Sequence, residues 1–279
     1  MEFLQPSTWA EALDMKAAHP ETTPIAGGTD VMVELNLDHG RPASIMDLTR
    51  IKDLTEWGTD DGLLRIGAGV TYTRLIEELG DRLPGLAMAS RTVGSPQIRN
   101  RGTVGGNLGT SSPAGDAHPP LLAADAQVEV HSKAGVRRIP VREFFTGPKK
   151  NAMLKDELIA AFLVAPAPGP QQFSKVGTRN AMVIAVCSFA LELDPAHRRV
   201  GTGIGSAGPT PLRAVQAEEF IQGELEWENR RPPSDAAMGR FGELVAAAAK
   251  PIDDVRGSAA YRRHALAVMA RRCLQWCWT

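Results

Sequence analysis

The residue types best suited to chemistry lie in two glycine-rich stretches. In the longer, Gly102, Gly105, Gly106 and Gly109 fall within residues 102–109, entered through Arg99 and Arg101 and interleaved with Thr103, Val104, Asn107 and Thr110. Glycine lets a backbone approach a ligand closely and adopt positive φ, and successive amides in such a turn can converge as an anion-binding nest. A phosphate suits that chemistry. The shorter stretch, Pro24, Ile25, Ala26, Gly27, Gly28, Thr29 and Asp30, precedes an amphipathic run through Val31, Leu35 and Leu37, with Thr29 or Asp30 placed to cap it. A helix start opened by two glycines favours anions through its unpaired amides and its dipole. Two phosphate-type turns together suit a diphosphate.

Taken singly, each of these residues has a plainer reading. A Gly-Gly pair is an ordinary tight turn. Asp116, after Gly115, reads equally as a turn residue, and Lys175 as an exposed charge. His118 stands before two prolines, with no second His, Cys or acid at metal spacing beside it, and reads as loop structure.

The elements that must position these turns follow from periodicity and caps. Thr8 and Glu11 form a capping box, and Trp9, Leu13 and Met15 begin a helix that ends before Pro20. Residues 22–26 read as a strand delivering the chain to Gly27, and 44–48 and 51–57 as two more, giving a first subdomain over residues 1–54. The alternation of Leu64, Ile66, Ala68 and Val70 predicts a half-buried strand. Helices over 71–79 and 84–92 follow, then the second glycine stretch as a loop, a helical turn over 119–124, and a strand through Ala126, Val128 and Val130 that pairs with 136–139. An apolar strand over 157–165 closes a second subdomain, residues 55–166. Three prolines and a glycine in residues 166–170 mark a linker. Beyond it, 173–176, 183–193 and 199–204 suggest an antiparallel sheet, and 234–250 and 258–276 two long helices. The second of these places Tyr261, Ala265, Met269 and Cys273 on one face, with Arg262, Arg263, Arg271 and Arg272 elsewhere.

Composition excludes several functions. With 31 Lys and Arg against 32 Asp and Glu, a net charge of -1 and only 5% aromatic residues, the 279-residue chain carries no basic footprint or stacking platform for nucleic acid. No basic leader precedes an apolar segment, and no run approaches 18 apolar residues, so a cytoplasmic protein without a transmembrane segment is expected. Cys187, Cys273 and Cys277 read as small buried hydrophobes. Three thiols cannot supply the four thiolates of an ordinary iron-sulfur cluster.

Gly203, Gly205 and Gly208 match G-x-G-x-x-G, the pyrophosphate turn of a dinucleotide fold. Pro209 and Pro211 follow at once, where that motif must open a helix, and no acidic strand end stands about 20 residues on. The match is a decoy.

The combination of Ala26-Gly27-Gly28-Thr29-Asp30 with Thr103-Val104-Gly105-Gly106-Asn107 and Ser112-Pro113-Ala114-Gly115-Asp116 resembles the flavoprotein subunit of the xanthine dehydrogenase and aerobic carbon monoxide dehydrogenase family, the molybdenum hydroxylases. The resemblance spans the chain, including the 175–185 region, the stretch from Gly203 to Ala214 and the helix carrying Tyr261, Arg262, Arg263 and His264. It implies an α+β fold. A vanillyl-alcohol-oxidase (PCMH) type FAD-binding module of two subdomains would be followed by a C-terminal antiparallel sheet with helices over 171–279, like the CO dehydrogenase flavoprotein C-terminal domain.

Carried over residue by residue, Ile25, Ala26, Gly27, Gly28, Thr29, Asp30, Val31 and Met32 would line the FAD pyrophosphate. Thr103, Val104, Gly105, Gly106 and Asn107 would supply the second side of that clamp. Asp116 would bind ribityl or ribose hydroxyls, Ile159 would pack on the adenine or an adjacent part of the cofactor, and Lys175 would approach from the C-terminal domain. No catalytic side chain and no metal ligand is implied. The resemblance further implies electron transfer within an (αβγ)2 assembly: a large molybdopterin-binding subunit oxidises the substrate, a small [2Fe-2S] subunit relays electrons, and FAD on this chain passes them to an external acceptor. No cysteine-rich insertion is present to carry a further cluster, and Asn180 follows Arg179 where many relatives continue with charge. A stand-alone FAD-dependent oxidoreductase and a non-enzymatic dinucleotide-binding module are the alternatives.

Overall fold

The computed structural model describes residues 1–38 and 40–278. Its first unit alternates strand and helix: β1 (Glu2–Leu4), α1 (Trp9–Ala18), β2 (Thr23–Ile25), α2 (Val31–Asn36) and β3 (Ser44–Asp47). The strands form a parallel sheet in the order β1-β3-β2, with Phe3 and Thr23 both opposite Ile45. Thr8 caps α1 by accepting from the Glu11 amide, as its sequence predicts. The strand expected over 51–57 is instead a 3-10 turn, Lys52–Thr55. There Ile51 and Leu54 bury while Lys52 and Asp53 stay exposed, an apolar spacing of three that suits a turn and not a pleat.

The second unit is a five-stranded antiparallel sheet. It begins with β4 (Trp57–Asp60) and β5 (Leu63–Gly67), then passes through five helices: α3 (Tyr72–Leu79), α4 (Pro84–Arg91), α5 (Pro96–Arg99), α6 (Val104–Thr110) and α7 (His118–Ala123). It resumes with β6 (Gln127–Ser132), β7 (Gly135–Pro140), the short α8 (Val141–Phe144), the hairpin β8 (Phe145–Gly147) and β9 (Lys150–Asn151), and β10 (Leu158–Val164), in the order β4-β5-β10-β6-β7 with β8-β9 apart. Wholly buried, β10 lies at the centre of the sheet, which accounts for its unbroken apolar run. Met46 and Ala12 of the first unit share one core with Leu64, Ile66, Val128 and Phe162 of the second.

The third unit is the antiparallel sheet β11 (Gln171–Val176), β12 (Cys187–Asp194) and β13 (Arg199–Gly205), with α9 (Val215–Glu224), α10 (Asp235–Ala248) and α11 (Ala259–Trp278) packed on it around Phe189, Phe241 and Leu266. The last position expected in this unit, Thr279, lies outside the described residues. β12 starts at Cys187, not at residue 183. On α11, Ala265, Met269 and Cys273 face the core as expected, but Tyr261 is 49% exposed. Arg262, expected on the outer face, is buried and donates to the Val186 and Ser206 carbonyls and to Asp254. The unsatisfied carbonyls at the sheet end draw it inward. None of the described helices is long and apolar enough to cross a membrane.

Candidate functional site

The first two units face each other across a cleft of about 830 Å³. The two glycine stretches meet at its middle. A Cβ on Gly27 would lie 2.0 Å from the Arg101 carbonyl oxygen, so only glycine lets these backbones touch, and Gly28 sits at φ +76°. Gly105 is pressed on Ala68, where a Cβ would lie 2.6 Å away.

The second stretch, expected as a loop, is the helix α6. Thr103 caps it with its hydroxyl 2.8 Å from the Gly106 amide, and this cap together with burial of Val104 and Leu108 outweighs the poor helix propensity of its glycines. Asp30 is the N-cap of α2 but makes no capping bond. Its carboxylate accepts from the Thr110 hydroxyl at 2.8 Å and ties α2 to the far end of α6.

Of the residues singled out in the sequence, all but Met32, Val104, Asp116 and Lys175 line this cleft. Met32 is 46% exposed and Val104 lies in the core. Asp116, in the α6–α7 link, and Lys175, on β11, are brought together at 2.6 Å, with the Thr92 carbonyl also accepting from the ammonium. Burial pushes the Asp116 carboxyl above its usual value, against the pull of Lys175. Ile159 lies on β10 with its Cδ1 near Gly109.

Several cleft residues carried no signal in the sequence, all but Lys16 because their partners are distant along the chain. Tyr72 is 3% exposed, and burial with the charges of Asp116 and Asp30 pushes its phenol well up, so it stays a protonated donor. Lys16 is buried and donates to the Pro20 and Thr22 carbonyls. Lys149 pairs with Glu34, and Lys155 with Glu21, across the cleft. A lysine on a polar stretch reads as solvated surface until the opposite wall is known.

The arrangement fits an anionic, flat, dinucleotide-sized group. Among the described residues, the amides of Gly28, Thr29, Asp30 and Val31 have no acceptor, and Asn107 Oδ1 is buried without a partner. The buried oxygen is costly unless something binds it, and the amides, on half-exposed or exposed residues, are donors open to a ligand. Gly106 is open on the cleft side, its added Cβ meeting only the Thr103 hydroxyl at 3.2 Å. No three or more His, Cys, Asp or Glu side chains among the described residues are placed to hold a metal. Burial pushes the Cys187 thiol up to about 12 and that of Cys273 to about 11, so neither is a ready ligand or nucleophile. The G-x-G-x-x-G match lies in β13 and its following turn, where Gly201 and Gly203 admit the backbone of α7 at 2.0 Å from an added Cβ. Those glycines serve packing.

Fold and cleft together define a cofactor-binding module: a parallel βαβ unit and an antiparallel sheet clasping one dinucleotide-sized groove. The chain belongs to the FAD-binding subunits of the molybdopterin dehydrogenase family. Residues 1–167 match the model of the FAD binding domain in molybdopterin dehydrogenase, and residues 172–277 that of the CO dehydrogenase flavoprotein C-terminal domain. The chain is 33% identical over 283 residues to the xanthine dehydrogenase FAD-binding subunit of Escherichia coli O157:H7, covering 96% of this chain and 92% of the relative. It is 33% identical over 235 residues to the nicotinate dehydrogenase FAD-subunit of Eubacterium barkeri, covering 80% and 79%. In fold it matches carbon monoxide dehydrogenase of Hydrogenophaga pseudoflava with a TM-score of 0.91 at 24% identity, covering 100% of this chain and 97% of that one. The protein is a flavoprotein, the FAD subunit of an oxidoreductase.

Proposed function

We propose that this chain is the electron-transfer subunit of a heteromeric molybdenum hydroxylase, taking electrons from the [2Fe-2S] clusters of a small subunit and delivering them to an external acceptor. A large molybdopterin subunit would carry the substrate chemistry, in an (αβγ)2 assembly in the cytoplasm. The relatives' names point to partner subunits of this kind. The observation that carries the reading is the character of the cleft: amides without acceptors, capped turns and apolar walls, which bind and orient a cofactor. Bound FAD supplies the one- and two-electron chemistry.

The chain's own residues position it. Residues 25–31 with Thr103, Gly105, Gly106 and Asn107 hold the diphosphate between them, and Ile159 covers a flat ring from β10. Asp116 has Oδ1 buried without a partner and offers it to a cofactor hydroxyl, while Lys175 holds the other oxygen. His118 is not a candidate base: it is wholly buried, with Nε2 against the Asn107 carbonyl oxygen.

The test is the visible spectrum and metal content of the purified chain. We expect about one FAD per chain with neither iron nor molybdenum, and hydroxylase turnover only after the partner chains are added. G106F should melt as the wild type does yet lose its flavin, since the position lines the cleft and an added Cβ meets only the Thr103 hydroxyl. Turnover by the isolated chain, or unchanged flavin in G106F, would refute the reading.

A further inference from the structure

We infer that Arg101 is the counter-charge for the diphosphate of the bound dinucleotide, a binding residue whose guanidinium offsets the negative charge that Asp30 brings to the Gly27-Gly28 turn. The inference rests on the cofactor reading above and adds to it a residue that neither glycine turn specifies.

The cations lining the cleft are Lys16, Arg101, Lys149 and Lys155. Three are committed: Lys16 to two carbonyls, Lys149 to Glu34 and Lys155 to Glu21. Of the lining acids, Glu157 is held by Arg137, which leaves Asp30 as a carboxylate with no cation. Its only hydrogen bond among the described residues comes from the Thr110 hydroxyl. A diphosphate brought to the Gly27-Gly28 turn therefore meets an uncompensated negative charge. Arg101 is the lining cation that has no anion, carbonyl or ring partner among the described residues.

Its backbone is also fixed where such a contact needs it. The Arg101 amide donates to the Ile98 carbonyl at the end of α5, and its own carbonyl is the group against which Gly27 is packed. The next residue, Gly102, lies against the Thr29 hydroxyl. Arg101 thus roots beside the turn whose amides lack acceptors, with an exposed side chain free to fold over it. A guanidinium matches two phosphate oxygens with parallel donors and loses little freedom in doing so.

The experiment titrates the flavin-free full-length chain with FAD, following quenching of flavin fluorescence at about 0.01 M and about 1 M salt. R101Q should raise the Kd about tenfold or more at low salt, and the gap to wild type should narrow at high salt, because screening removes the same charge term. R101K should recover most of the low-salt affinity, and the melting temperature of the flavin-free chain should not change. Equal affinity of R101Q and wild type at low salt would overturn the inference. So would an equal loss at both salts, which marks a role in shape and not in charge. Failure of the wild type to take up FAD is a different result, and would overturn the cofactor reading itself.

Discussion

His118 stands at the start of α7 with its ring against Phe145 and Nε2 3.2 Å from the Asn107 carbonyl oxygen. That contact makes Nε2 a donor in the neutral and the charged ring alike, and it is burial that favours the neutral form, pushing the pKa down from 6.5 to about 4 against the pull of that bond. The unfolded chain therefore binds the proton more readily. The stabilisation is full above about pH 6.5 and is lost as pH falls toward about 4, on the order of 3 kcal/mol over that window. Denaturant titrations across this range should show the loss in wild type and a clearly flatter profile in H118N. An identical profile in the variant would assign the acid sensitivity to other groups.

At the scale of elements, α11 depends on a residue that its own periodicity misplaces. Arg262 fills the gap between the ends of β12 and β13, donating to the Val186 carbonyl at 2.8 Å and the Ser206 carbonyl at 2.5 Å, with Asp254 neutralising it. R262M would strand both carbonyls in a buried setting and leave Asp254 with Arg256 alone. We expect it to lower stability by about 2–4 kcal/mol, while R263M, one residue on and exposed, should stay within about 0.5 kcal/mol. Equal effects in the two would show that charge near the helix start matters and the buried contacts do not. α6 makes the converse point. Its glycines argue against a helix, yet a threonine cap and two buried side chains suffice to form one.

At the scale of the molecule, the cofactor module and the C-terminal sheet are held together by polar contacts as well as by packing. Lys175 reaches from β11 to Asp116, the Gln171 side chain accepts from the Gly85 amide on α4, and α7 lies directly on β13. K175M leaves the buried Asp116 carboxylate without its cation, a loss of about 3–5 kcal/mol at neutral pH. Asp116 already has a raised pKa in the fold, and removing Lys175 removes an influence that lowers it. An acid raised in the folded state is most easily accommodated below its unfolded value near 3.8 and costs stability as pH climbs through the folded value. The difference between K175M and wild type should accordingly shrink in acid and grow toward alkaline pH. A difference independent of pH would mean that Lys175 contributes through packing alone.

Local chemistry determined a good deal of this protein from sequence alone. Thr8 sits where a cap is needed, the alternation of Leu64 and Ile66 fixes a strand face, and the glycines at 27 and 105 mark places where only a bare backbone serves. These are properties of a residue and its near neighbours, so one dimension carries them. The tertiary structure alone decided that Lys149 and Glu34, 115 residues apart, face each other across the cleft, and that Asp116 meets Lys175. It also decided that Arg262 turns inward and that the tempting glycines of β13 receive a helix and not a phosphate. Those outcomes depend on burial and on which unpaired groups lie opposite, and neither exists until distant elements have packed.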